Sequence, residues 1–275
     1  MKSSRTSIRA ARRLGLTAAL LGSSVLTDSA IEHYRGSFNN RAMYTPLAAA
    51  AATIGAGLLA ACDSSGRADS GRSSLYAAAA LVGLAGLGFH AYNVAKRPGG
   101  VSWLNLFYAA PVGAPAALAL AGVLGLSAEQ LRKAPAARGA RVFGMPADRV
   151  LATVSAVGLA GTTAEAALLH FRGAYHNPAM VLPVTVPPVG AALLFWSSWS
   201  RARSVQRLTR AWLKLTAALG LAGMGFHAYG VSRNMGGWRN WSQNLLNGPP
   251  IPAPPGFTAL ALSGLAALLL RRERR

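Results

Sequence analysis

The sequence predicts an all-α membrane protein of eight transmembrane helices, built as two tandem, parallel four-helix repeats with a pseudo-two-fold axis along the membrane normal. Three observations predict it. Hydrophobic residues fill 52% of 275 positions against only 8 Asp and Glu, too apolar and acid-poor for an ordinary soluble enzyme. Apolar runs of about 20 residues, the length that crosses a hydrocarbon core, recur along the chain. One fourteen-residue block occurs twice.

The first run, Leu14 to Ile31, follows five basic residues in the manner of a secretory signal. Its counterpart in the fifth run, deep inside the chain, marks it as a span retained in the mature protein. The second run, Met43 to Cys62, ends on Leu59-Ala60-Ala61-Cys62, which looks like a lipoprotein processing site but follows a second span. Arg12-Arg13 is likewise only a weak twin-arginine lookalike. The third run is Leu75 to Val94. The fourth, Leu106 to Leu126, carries Pro111 and Pro115 near its start, where proline breaks or begins a helix. The fifth, sixth and seventh runs are Val150 to His170, Val181 to Trp199 and Ala211 to Val231. The eighth, Ile251 to Leu270, opens inside the proline-rich stretch Pro249 to Pro255; the prolines of the fourth and eighth runs lie near the same face, where a re-entrant cap is one reading.

Lys and Arg sort these spans by side. One set of alternate loops and ends holds 21 of the 28 basic residues, and the opposite loops hold seven: Arg35, Arg41, Lys96, Arg97, Arg172, Arg233 and Arg239. The positive-inside rule then puts both termini in the cytoplasm of a bacterial-type inner membrane. A net charge of +20 in this distribution reports topology, not a nucleic-acid partner. The lone Cys62 excludes an internal disulfide and any CxxC or cysteine-cluster chemistry.

Residues 81–94 read LVGLAGLGFHAYNV and residues 218–231 read ALGLAGMGFHAYGV, ten of fourteen positions matching at an offset of 137. The same offset aligns His33-Tyr34-Arg35-Gly36 with His170-Phe171-Arg172-Gly173 and Met43 with Met180; beyond Gly237 two extra residues align Asn105, Pro111 and Pro115 with Asn244, Pro250 and Pro254. Residues 1–130 form the first repeat, 131–149 a basic cytoplasmic linker and 150–275 the second repeat. Four spans per copy is an even number, so the copies share one orientation.

The two copies show which polar positions both retain. Four of the five histidines fall in matched pairs, His33 with His170 and His90 with His227; His176 has Asn39 in its place. Counted along the helices from the inner basic residues, the first of each pair lies about 30 Å out and the second about 25 Å. Two imidazoles in one layer on different helices suit a six-coordinate haem b, one or two per chain. Gly83 and Gly86 before His90, and Gly220 and Gly223 before His227, would leave bare backbone for a flat macrocycle, and Arg35 and Arg172 would meet its propionates. The competing account is structural: histidine binds a loop carbonyl, and the glycines let two helices approach closely. Copper is a weaker choice, since no Cys or Met box or carboxylate cluster accompanies the histidines.

Asp28 and Glu165 are matched acids five residues before the outer histidine, and acids at that depth suggest a proton path. Their plainer roles are a helix-to-helix hydrogen bond or a partner for Arg35 or Arg172. Trp103, Trp238 and Trp241 read as an interfacial aromatic belt.

In layout the histidine pattern resembles the membrane b-type cytochromes, where bis-histidine haems sit between helices of a four-helix unit. The resemblance implies an electron-transfer subunit that exchanges electrons between a periplasmic redox protein and quinone within the lipid bilayer. All four histidines lie in one leaflet, so lateral exchange is expected. The alternatives are a membrane anchor or assembly subunit, and a small-solute or proton carrier using Asp28 and Glu165. No soluble small-molecule substrate, nucleotide loop or nucleophile constellation is apparent; any oxidoreductase activity would belong to a complex.

Overall fold

A computed structural model describes residues 5–108, 111–133, 139–200 and 202–273. Ten α-helices follow one another along these residues: α1 (Arg5–Arg35), α2 (Thr45–Cys62), α3 (Ser70–Ala95), α4 (Trp103–Tyr108), α5 (Gly113–Lys133), α6 (Ala147–Arg172), α7 (Leu182–Trp199), α8 (Arg203–Arg233), α9 (Trp241–Asn247) and α10 (Pro255–Glu273). A two-stranded hairpin, β1 (Arg141–Val142) and β2 (Met145–Pro146), lies between α5 and α6. Six helices are long and apolar enough to cross a membrane: α1, α3, α5, α6, and α2 and α7 with the 3-10 turns that lead into them. The chain is an all-α, multi-pass membrane protein.

The other two long helices are less apolar for visible reasons. Most of α8's first four turns carry basic residues: Arg203, Arg207, Arg210 and Lys214. Most of α10 is buried against protein on all sides, and it ends in Arg271 and Arg272, which suit the negative end of the helix dipole.

The fourth apolar run does not form a single helix, and the eighth forms one helix that starts four residues late. The fourth divides into α4 and α5, and the eighth starts at Pro255 with α9 standing before it. Proline accounts for the break in the one and the late start of the other, because it donates no backbone hydrogen bond and fits only a helix's first turn. The expected linker is also shorter, since α5 runs to Lys133 and α6 begins at Ala147. Residues 134–138 of that linker lie outside the described residues.

In the first half α1 packs on α2, α2 on α3, α3 on α5 and α5 back on α1. In the second, α6 packs on α7, α7 on α8, α8 on α10 and α10 back on α6. The halves meet where α1 packs on α10 and α5 on α6. The main apolar core lies along this seam, with Leu14, Leu21, Leu124, Leu151, Leu159 and Leu260 all but fully buried. The outward faces of α3 and α8 expose Leu84, Phe89 and Tyr92, and Leu221, Phe226 and Tyr229, as lipid-facing surfaces do. Each half closes a ring of four helices, so α1 stands diagonally from α3, and α6 from α8.

Candidate functional site

The four paired histidines all lie toward the ends of α1, α3, α6 and α8, and each ring is tied to a backbone carbonyl. His33 donates from Nδ1 to the Met43 carbonyl at 2.7 Å, and His170 to the Met180 carbonyl at 2.8 Å. His90 donates to Pro111, and His227 to Pro250 at 2.7 Å. The acceptors are themselves matched positions of the two halves. A carbonyl can only accept, so Nδ1 carries a proton; in the neutral ring Nε2 then has the lone pair, the arrangement in which a histidine serves as a ligand.

His170 and His227 come together across the diagonal of the second ring in an edge-type contact, with ring centroids 6.5 Å apart and planes inclined by 64°. Two imidazoles on one metal, at about 2 Å per bond, place their ring centres roughly 6 Å apart. Among the described residues no ring contact joins His33 and His90. Their Nδ1 bonds are alike, but their separation is not.

Immediately after α1 and α6 the chain turns back sharply. Phe38 N–H bonds the His33 carbonyl at 3.0 Å, and Tyr175 N–H the His170 carbonyl at 3.1 Å. The turn holds Ser37 and Phe38 at φ 56° and 45°, and Ala174 and Tyr175 at φ 53° and 47°. Two successive non-glycine residues in the left-handed region are strained, and the strain is spent in the same place in both halves. It sets an aromatic ring edge-on to the histidine, Phe38 at 6.2 Å from His33 and Tyr175 at 6.1 Å from His170. Sequence spacing did not single out these two rings, because Phe against Tyr reads as drift until the shared turn is seen.

The four glycines take the structural role. A side chain at Gly83 would meet the Pro115 carbonyl and the Ala119 backbone, and one at Gly220 would meet Pro254 and Thr258. Gly86 and Gly223 lie against Pro115 and Pro254. Their bare faces are therefore covered by α5 and α10, and the surface expected for a macrocycle serves close helix packing instead.

The arginines differ between halves. Arg35 pairs with Glu32 at 2.8 Å, whereas the guanidinium of Arg172 lies over the Tyr108 ring at 5.3 Å. The Glu165 carboxyl lies directly against Gly113, at the start of α5, so the matched acid sits at the seam between halves, and among the described residues it forms no ion pair with Arg172. Asp28 lies within electrostatic reach of Glu165 and Glu32. His176 donates Nδ1–H to Gly173 at 2.9 Å and stays apart from the paired rings.

Other matched contacts tie down the loops around the histidines. Asn105 donates to the Pro98 and Gly100 carbonyls at 3.1 and 2.7 Å, and Asn244 to Met235 and Gly237 at 3.2 and 2.8 Å. Asn40 and Asn177 accept backbone N–H groups at 2.9 Å in the turns before α2 and α7. Among the described residues no group of three or more His, Cys, Asp or Glu is placed to hold a metal ion. Paired imidazoles are the ligand set on offer. No family model, curated protein or solved structure matches the chain.

Proposed function

We propose that the chain is a membrane b-type cytochrome-like electron-transfer subunit with a bis-histidine haem b held by His170 and His227. One observation carries the reading: two rings 6.5 Å apart on diagonal helices, each with Nδ1 bonded to a carbonyl. The remaining features belong to the same proposal. Eight spans form two tandem repeats related by a pseudo-two-fold along the membrane normal, the basic ends and both termini face the cytoplasm of a bacterial-type inner membrane, and the histidines lie near its periplasmic face.

Bound haem would supply a one-electron couple. The Nδ1 bonds to Met180 and Pro250 fix tautomer and ring orientation, and the Tyr175 edge restricts how the His170 ring can turn. Trp103, Trp238 and Trp241 are exposed beside the outer loops, a face suited to quinone within the bilayer and to a periplasmic redox protein beyond it. With all four histidines at one end, electrons would pass laterally within that leaflet.

An anchor or assembly subunit is the second reading, favoured by the glycines that pack α3 on α5 and α8 on α10 and by the histidine bonds that pin the loops. A carrier is less favoured, because Glu165 is packed against Gly113 at the seam between halves. The visible spectrum of detergent-purified protein, oxidised and dithionite-reduced, with a pyridine haemochrome assay, tests the proposal. A b-type spectrum is expected; a colourless, stable, correctly inserted protein from haem-replete cells would leave the anchor reading in its place.

A further inference from the structure

We infer that the two halves have diverged in role: the chain holds one haem, in the second half, with Arg172 binding a carboxylate of the macrocycle, while the matched site of the first half is structural. The inference rests on the haem reading above and adds to it the number, the location and the anionic partner.

Three differences between matched positions carry it. The ring pair is closed in one half only, His170 and His227 standing 6.5 Å apart while His33 and His90 make no ring contact among the described residues. The cation is committed in the other half only. Glu32 neutralises Arg35 at 2.8 Å, and its counterpart is Leu169, so the second half lacks that acid. Among the described residues Arg172 forms no ion pair, and its guanidinium rests on the Tyr108 ring. A guanidinium stacked on an aromatic ring keeps its edge donors for a carboxylate.

The contacts beside Arg172 differ between the halves as well. Helix α4 of the first half reaches across to α6 of the second, where Phe107 packs edge-on to Phe171 at 5.7 Å and Tyr108 underlies Arg172. Helix α9 reaches back to α1 in the same manner, but the positions matching Phe107 and Tyr108 are Leu246 and Asn247. One site thus has an arginine that rests on an aromatic ring without an ion pair among the described residues, and two imidazoles 6.5 Å apart. The other keeps its histidines as loop clamps, through Met43 and Pro111.

Haem per chain in the purified wild-type protein is the deciding measurement, since it depends on no variant's folding. One haem per chain is expected. Absorbance should be lost in His170→Ala and His227→Ala, and a ligand-preserving His227→Met should keep haem with altered bands if the alanine variant folds poorly. His33→Ala and His90→Ala should retain the full wild-type haem content. Arg172→Gln should retain haem with a shifted midpoint potential, and Arg35→Gln should leave that potential unchanged. Two haems per chain, or absorbance lost from the His33 or His90 variants of well-folded protein, would overturn the inference and leave the cytochrome reading standing. A colourless wild-type protein would overturn both.

Discussion

At the scale of single residues, the end of the molecule opposite the histidines is held by charge. The guanidinium of Arg132 is fully buried and donates to the carbonyls of Ala60, Asp63 and Ser65, taking up the loose end of α2. Arg271, its counterpart, does the same for α7 through Ser198 and Ser200 and pairs with Asp148 at 3.3 Å. Asp63 sits among Arg72 at 2.8 Å, Arg132 at 3.4 Å and the Ser65 backbone N–H at 2.7 Å. Partial burial alone raises its pKa, but the Ser65 and Arg72 hydrogen bonds and the Arg132 charge outweigh this and bring it from 3.8 to about 2. A carboxylate with a depressed folded pKa contributes stability above its unfolded pKa and loses it as pH falls toward the folded one. Asp63→Asn should therefore lower the Tm of detergent-solubilised protein at pH 6. The gap to wild type should shrink as pH falls from about 4 to about 2; a gap that stays constant over that window would remove the charge from the account.

At the scale of helices, matched glycines with different surroundings separate packing from propensity. Gly83 and Gly220 touch the backbones of α5 and α10, whereas Gly88 and Gly225 have nothing within 4 Å of where a side chain would begin. Alanine at Gly83 or Gly220 must push two helices apart and should cost about 1–3 kcal/mol. Alanine at Gly88 or Gly225 should be neutral, or stabilising by about 0.5–1 kcal/mol through helix propensity. Thermal unfolding of the four variants checks this, and equal effects at all four would show that the close approach is not what these glycines serve. Much of this level was legible in the sequence, since apolar length located the long helices and the block around His90 and His227 located matched positions. The proline breaks were legible as breaks but not as the short helices α4 and α9, because six or seven residues carry too little periodicity to define a helix. The direction of the glycine faces was hidden for a related reason. A glycine next to a histidine on one helical face looks the same whether a cofactor or the next helix covers it.

At the scale of the whole molecule, the seam between halves decides what each half does. Glu165 of α6 packs against Gly113 of α5, and α4 and α9 each contact the opposite half, so neither histidine-bearing end is built by one half alone. Sequence matching placed the histidines in pairs but gave no means of seeing that Tyr108, 64 positions before Arg172, lies beneath it. Contacts between distant segments follow from how the rings of helices pack, and apolar periodicity does not encode them. The charge asymmetry, 21 basic residues toward one side and seven toward the other, does predict which way the assembly faces. Cys62 makes that orientation measurable. It is the chain's sole cysteine, it is exposed, and it ends α2 at the basic end, beside Asp63. A membrane-impermeant maleimide should leave Cys62 unlabelled in intact spheroplasts and label it in inverted vesicles. A Ser37→Cys variant in a Cys62→Ser background should show the reverse, since Ser37 lies exposed in the turn beside His33. Labelling of Cys62 from outside would invert the topology and put the histidine layer on the cytoplasmic face.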